Sequence, residues 1–146
     1  MQAAAKYLTP VVLELGGKCP VIIDKDCHLD LAVKRLVWGK FSNAGQTCVS
    51  PDYVFVHKSM EKCFVEKVVK QVEEFFGKDP QKSKDFARII NEHHVRRLAS
   101  ILEKTPKNDI VIGGYTDMKD HYVSPTVIVN VNENSEVMKS EVWYDL

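Results

Sequence analysis

The chain has 146 residues, 45% of them hydrophobic, which suits one ordinary soluble domain with a core of its own. Twenty Lys and Arg balance twenty Asp and Glu, so no net field draws in nucleic acid or an anionic membrane, and neither is expected as a partner. No apolar run approaches the roughly 18 to 20 residues that cross a bilayer, and Met1 to Pro10 lacks the layout of a secretory leader, so a soluble, cytoplasmic protein is expected.

In chain order, Val11 to Leu15 and Val21 to Ile23 are β-branched apolar runs on either side of Gly16-Gly17-Lys18, a pattern that predicts two buried strands around a tight turn. Leu29, Ala32 and Leu36, with Val33, Val37 and Phe41, recur every three or four residues and predict an amphipathic helix over 29–41. It ends before the loop Ser42-Asn43-Ala44-Gly45, which leads to Cys48. Tyr53 to Val56 read as a strand. From Ser59 onward, Phe64, Val65, Val68, Val69, Val72, Phe75 and Phe76 form a helical stripe closed by Gly77. Asn91 is placed to cap a further helix with Val95, Leu98, Ala99 and Leu102 on one face, and Ile110 to Ile112 and Thr126 to Val131 read as strands. Lys78 to Asp85 and Tyr115 to His121 are polar connections. Alternating strands and helices predict an α/β fold with an open, mostly parallel sheet and flanking helices.

The four cysteines, Cys19, Cys27, Cys48 and Cys63, show no C-x-x-C pair and no histidine at a zinc-binding interval, so no metal site is expected and the thiols read as free. His93 and His94 are helical neighbours pointing apart and read as surface residues, not as an i, i+4 ligand pair. Gly16-Gly17-Lys18 lacks the lead and the hydroxyl residue of a phosphate loop. Two residues remain as chemical candidates. Gly45-Gln46-Thr47-Cys48 can hold a thiol at a backbone turn with N–H groups free to meet an oxyanion, although from the tetrapeptide alone a small buried hydrophobe is the commoner fate of such a cysteine. Glu14 interrupts an apolar strand; partly desolvated it would have a raised pKa and serve as a general base, and on a wet face it would be solvated or paired with a lysine such as Lys18.

Taken together, Leu13-Glu14-Leu15-Gly16-Gly17-Lys18 and Phe41-Ser42-Asn43-Ala44-Gly45-Gln46-Thr47-Cys48 resemble the glutamate and cysteine signatures of the aldehyde dehydrogenase superfamily, in the family's order and at its spacing. Pro51-Asp52-Tyr53-Val54, Arg88-Ile89-Ile90-Asn91, Ile112-Gly113-Gly114 and Ser124-Pro125-Thr126-Val127 are similar to the class 3 branch. The resemblance implies NAD(P)-dependent oxidation of an aldehyde to a carboxylic acid, with Cys48 as nucleophile through a thiohemiacetal and a thioester, and Glu14 activating the hydrolytic water. It places Glu141, in Ser140-Glu141-Val142-Trp143, on the ribose of the nicotinamide half of NAD or NADP, and Gly16 beside the cofactor. It further implies that 1–146 is a partial catalytic domain: residues 2–7 resemble the last helix of an N-terminal Rossmann-like cofactor domain that is itself absent.

Two departures stand out, Trp143-Tyr144-Asp145 in place of the family's F-G-P and Cys19 where serine or asparagine is usual. The implied dehydrogenase is therefore expected to be impaired as this fragment. Two alternatives stay open: a non-catalytic remnant associating with a full-length relative or as a homo-oligomer, and a cofactor-free thioesterase or esterase using Cys48 and Glu14.

Overall fold

A computed structural model describes residues 1–141. The elements are α1 (Gln2–Ala5), β1 (Cys19–Ile23), α2 (Leu29–Phe41), β2 (Pro51–Val56), α3 (Glu61–Phe76), α4 (Glu92–Lys104), β3 (Ile110–Ile112), β4 (Thr116–Asp117), β5 (Tyr122–Val123), β6 (Val127–Ile128) and α5 (Glu136–Lys139).

The expected helix over 29–41 forms with those bounds, because Val33, Val37 and Phe41 fall on one stripe and are buried there. α3 buries Phe64, Val68 and Val72 and closes where the Gly77 N–H donates to the Glu73 carbonyl at 2.8 Å. β1 and β2 pair in parallel around α2, with Val21 opposite Val54 and Ile23 opposite Val56. These four side chains face a core shared with α2 and α3, which edge-on rings extend from Phe41 through Phe76 and Phe86 to Tyr122. The other sheet face carries Ile22 opposite Phe55, exposed by 77% and 60%.

A second core of Ile89, Val95, Leu98 and Ile101 forms along α4. Asn91 caps that helix as expected, its Oδ1 accepting from the His94 N–H at 2.9 Å, which satisfies one of the helix's orphan donors. Cap and stripe together turn His94 inward to 4% exposure while His93 stays exposed, so only one of the two is the surface histidine that was expected.

The open, mostly parallel sheet does not form. Three two-stranded sheets take its place, β1–β2 parallel and β3–β6 and β4–β5 antiparallel. The reason is connection length. α2 carries the chain back from β1 so that β2 pairs with it in the same direction, whereas the tight turn over 118–121 returns β4 directly into β5. Tyr115 to His121, read as a polar connection, therefore contains a strand, and the run from Thr126 shortens to Val127–Ile128 before Asn130 enters the left-handed region at φ 54°. Pro80–Lys82, inside the other polar connection, is a single 3-10 turn.

The predicted strand at Val11 to Leu15 is absent as well. All five residues are exposed, Val12 by 95%, and no strand among the described residues pairs with them. A β-branched run becomes a strand only beside an edge that can take its N–H and C=O groups. No helix among the described residues is long and apolar enough to cross a membrane.

Candidate active site

The cysteine loop begins where α2 stops. After Phe41, residues Ser42–Gly45 make one 3-10 turn in which Asn43 and Ala44 both adopt left-handed backbone angles, φ 53° and 55°. A left-handed alanine costs on the order of 1 to 2 kcal/mol and persists only where surroundings hold it. Here Gln46 does so. Its Nε2 donates to the Asn43 carbonyl at 2.9 Å and the Arg88 carbonyl at 3.0 Å, and its Oε1 accepts from the Ile90 N–H at 2.9 Å. The Asn43 side chain returns a hydrogen bond to the Gln46 carbonyl at 3.1 Å. Gly45, at φ 81°, is needed for a second reason, since a Cβ there would lie 3.1 Å from the Lys40 carbonyl.

This loop presents Cys48 to solvent, which removes the alternative of a small buried cysteine. No hydrogen bond holds the Cys48 thiol or its backbone N–H among the described residues, so both can meet a substrate carbonyl. Ser50, 7% exposed, anchors the far side of the turn through Oγ, which donates to the Lys40 carbonyl at 3.2 Å.

The second motif lies across an open cleft lined by Gly17, Lys40, Gly45, Thr47, Ser50, Asp52 and Glu141. Gly17 N–H donates to Glu141 Oε2 at 2.7 Å, and a Cβ on Gly16, whose φ is 118°, would sit 2.4 Å from that oxygen. The structure thus brings Gly16 and Glu141 together. Arg97 Nη1 donates to the Glu141 carbonyl at 3.2 Å. Lys18 does not pair with Glu14: its Nζ reaches Asp52 Oδ2 at 2.7 Å and the carbonyls of Val137 and Ser140 at 3.3 and 3.2 Å. Lys18 therefore fastens the chain around α5 to the start of β2.

Glu14 itself is exposed on the unpaired ribbon, so the desolvation expected of it is not supplied by the described residues. Sequence reading also missed Lys40. It lies in the last turn of α2, where a solvated cation suits the helix dipole, yet its ammonium end folds inward over Gly45. Burial holds its pKa below the usual lysine value, partly offset by Asp52, lowered further by Lys18 and raised by Cys19. The positioning roles of Gln46 and Arg97 were equally unmarked, because they depend on backbone groups distant in sequence, Arg88 and Ile90 for Gln46 and Glu141 for Arg97. No cluster of three or more metal-ligating side chains occurs among the described residues.

Comparison with known proteins shows the family to which the chain belongs. The model of the aldehyde dehydrogenase family matches residues 1–143. The chain is 47% identical over 143 residues to the dog aldehyde dehydrogenase, dimeric NADP-preferring, covering 98% of this chain and 31% of that protein. It is 43% identical over 142 residues to the 4,4'-diaponeurosporen-aldehyde dehydrogenase of Staphylococcus aureus, covering 97% and 31%. Among solved structures, the substrate-bound Staphylococcus aureus AldH superposes with a TM-score of 0.89 at 42% identity, covering 97% of this chain and 31% of that one. An NADP-dependent enzyme of E. coli does so with a TM-score of 0.82 at 30% identity, covering 97% and 30%. The chain thus spans somewhat under a third of the length of these relatives.

Proposed function

Since the chain belongs to the aldehyde dehydrogenase family, we propose that it carries the thiol half of an NAD(P)-dependent aldehyde oxidation, with Cys48 as nucleophile. The observation that carries this reading is the exposed Cys48 thiol just after a left-handed turn that Gln46 stitches in place. Cys48 as thiolate adds to the aldehyde carbonyl carbon, giving a thiohemiacetal whose oxyanion accepts the Cys48 N–H. A nicotinamide cofactor held at the Gly16–Glu141 edge would supply the hydride acceptor for that carbon. Glu14, in contact with solvent, then takes a proton from the water that hydrolyses the thioester, releasing a carboxylic acid and restoring the thiol.

Whether the residues suit the cofactor is decided at the Gly16–Gly17 turn. Its lack of side chains leaves room for a close approach, and the Glu141 carboxylate beside it is an acceptor for ribose hydroxyls. The fit is partial. This edge would meet only the nicotinamide ribose, so turnover by the 146 residues alone is expected to be weak. The test is NAD(P)H formation from a medium-chain aliphatic aldehyde. Wild type is expected to give a slow signal, Cys48→Ala none, and Glu14→Gln at most one equivalent per chain as the thioester accumulates. Turnover that survives Cys48→Ala overturns the assignment.

A second reading, association with a full-length relative or a second copy, is favoured by the exposed apolar side chains between Val11 and Leu15 and by the bare Ile22–Phe55 sheet face.

A further inference from the structure

Cys48 has a neighbour that none of the chemistry above uses. Cys19 opens β1 at an irregularity in the strand register between Cys19 and Pro20, and its thiol donates to the Cys48 carbonyl oxygen at 3.2 Å. A carbonyl oxygen stands about 2.4 Å from its own Cα, so Cys19 Sγ lies within about 6 Å of the Cys48 Cα. A disulfide needs its two Cα atoms within about 7 Å, so the bridge asks the Cys48 side chain to turn toward Cys19 with a backbone adjustment of up to about 1.5 Å. Both segments can adjust, one at a strand's first residue and the other in a turn whose Cys48 side chain is exposed. The two remaining thiols are placed differently: Cys27 packs against the main core, and Cys63 is exposed on α3.

We propose that Cys19 is a resolving thiol for Cys48, and that the pair forms a reversible disulfide when the chain meets a hydroperoxide. The Cys48 thiolate attacks one peroxide oxygen, breaking the O–O bond and giving a sulfenic acid; with hydrogen peroxide the departing hydroxide leaves as water. The Cys19 thiolate then attacks the Cys48 sulfur, the S–S bond forms, and the sulfenic oxygen leaves as a second water. Two thiols are oxidised by two electrons and one peroxide is reduced. A dithiol reverses the reaction by exchange. The bond removes the sulfur that the proposed function needs, so it both silences the site and protects Cys48 from irreversible oxidation.

The proposal rests on reading Cys48 as a reactive thiol, but its test needs no aldehyde. Trypsin places the two residues on separate peptides, Cys19 to Lys25 and Phe41 to Lys58. After equimolar hydrogen peroxide and blocking of free thiols, mass spectrometry of the full chain is expected to find these two peptides joined. Iodoacetamide labelling of Cys48 should fall at least tenfold and return with dithiothreitol. Cys19→Ser, which installs the residue usual in the family, should abolish the joined pair and let Cys48 proceed to sulfinic and sulfonic acids that dithiothreitol does not reverse. Cys63→Ser should change neither result. Equal sulfinic acid at Cys48 in wild type and Cys19→Ser, or a Cys48 bridge to Cys63 or between chains, overturns the proposal. Aldehyde turnover without the disulfide rejects only the switch, and the disulfide without turnover rejects only the dehydrogenase reading.

Discussion

At the scale of single residues, Lys40 shows how a group can suit its helix and burden the fold at once. Its position at the end of α2 complements the helix dipole, yet its ammonium is buried beside Gly45 with Lys18 as a second cation nearby. Because burial lowers its folded-state pKa, the unfolded chain binds more protons between that lowered value and 10.5. Stability from this group therefore rises with pH through that window, and its penalty is fully present below it. Lys40→Met is expected to flatten the rise in urea midpoint between pH 8 and 10.5 and to leave the pH 7 midpoint at or above wild type. An unchanged slope, measured by circular dichroism at half-unit steps, would show that the ammonium is effectively solvated.

Between elements, the joint that matters most is the one Lys18 makes. Its ammonium meets an Asp52 side chain only 6% exposed, at the start of β2, while holding two carbonyls around α5. Removing one partner of such a pair strands the other charge, at a cost of up to roughly 3 to 5 kcal/mol when both are buried. Lys18 keeps 23% exposure, so about 2 to 3 kcal/mol is expected for Asp52→Ala. The same substitution should speed amide hydrogen exchange around α5, since the segment loses its fastening. Lys18→Met combined with Asp52→Leu should recover much of the midpoint, because the loss lies in the stranded charge. If the double variant is no better than the single, the carbonyl contacts dominate instead.

For the molecule as a whole, the distribution of apolar surface decides its company. Two cores are satisfied, yet Tyr7, Leu8, Val12, Leu13, Leu15, Ile22 and Phe55 lie more than half exposed along one ribbon and one sheet face. Large apolar side chains left to water in such number are the feature from which the proposed association is argued. Light scattering behind size exclusion at tens of micromolar is expected to give a mass above the 16.6 kDa of one chain. Val12→Asp with Phe55→Asp is expected to return it to that value. A wild-type chain already monomeric at that concentration removes self-association and leaves a full-length relative as the partner to test.

The sequence by itself determined what depends on local periodicity and on short motifs. α2, α3 and the Asn91 cap of α4 follow from stripes and capping chemistry within a few residues, and the two signatures around Glu14 and Cys48 were legible as a family resemblance. Tertiary structure decided whatever needed a partner from elsewhere in the chain. Val11 to Leu15 has strand composition and no strand, because no edge meets it among the described residues, and the expected open sheet divided into three small ones because connection length sets strand direction. Lys18 chose Asp52 over Glu14, Gln46 found carbonyl and amide partners near residue 90, and Cys19 came to rest on Cys48. Those contacts join residues far apart in sequence, and only the packed fold brings them within reach of one another.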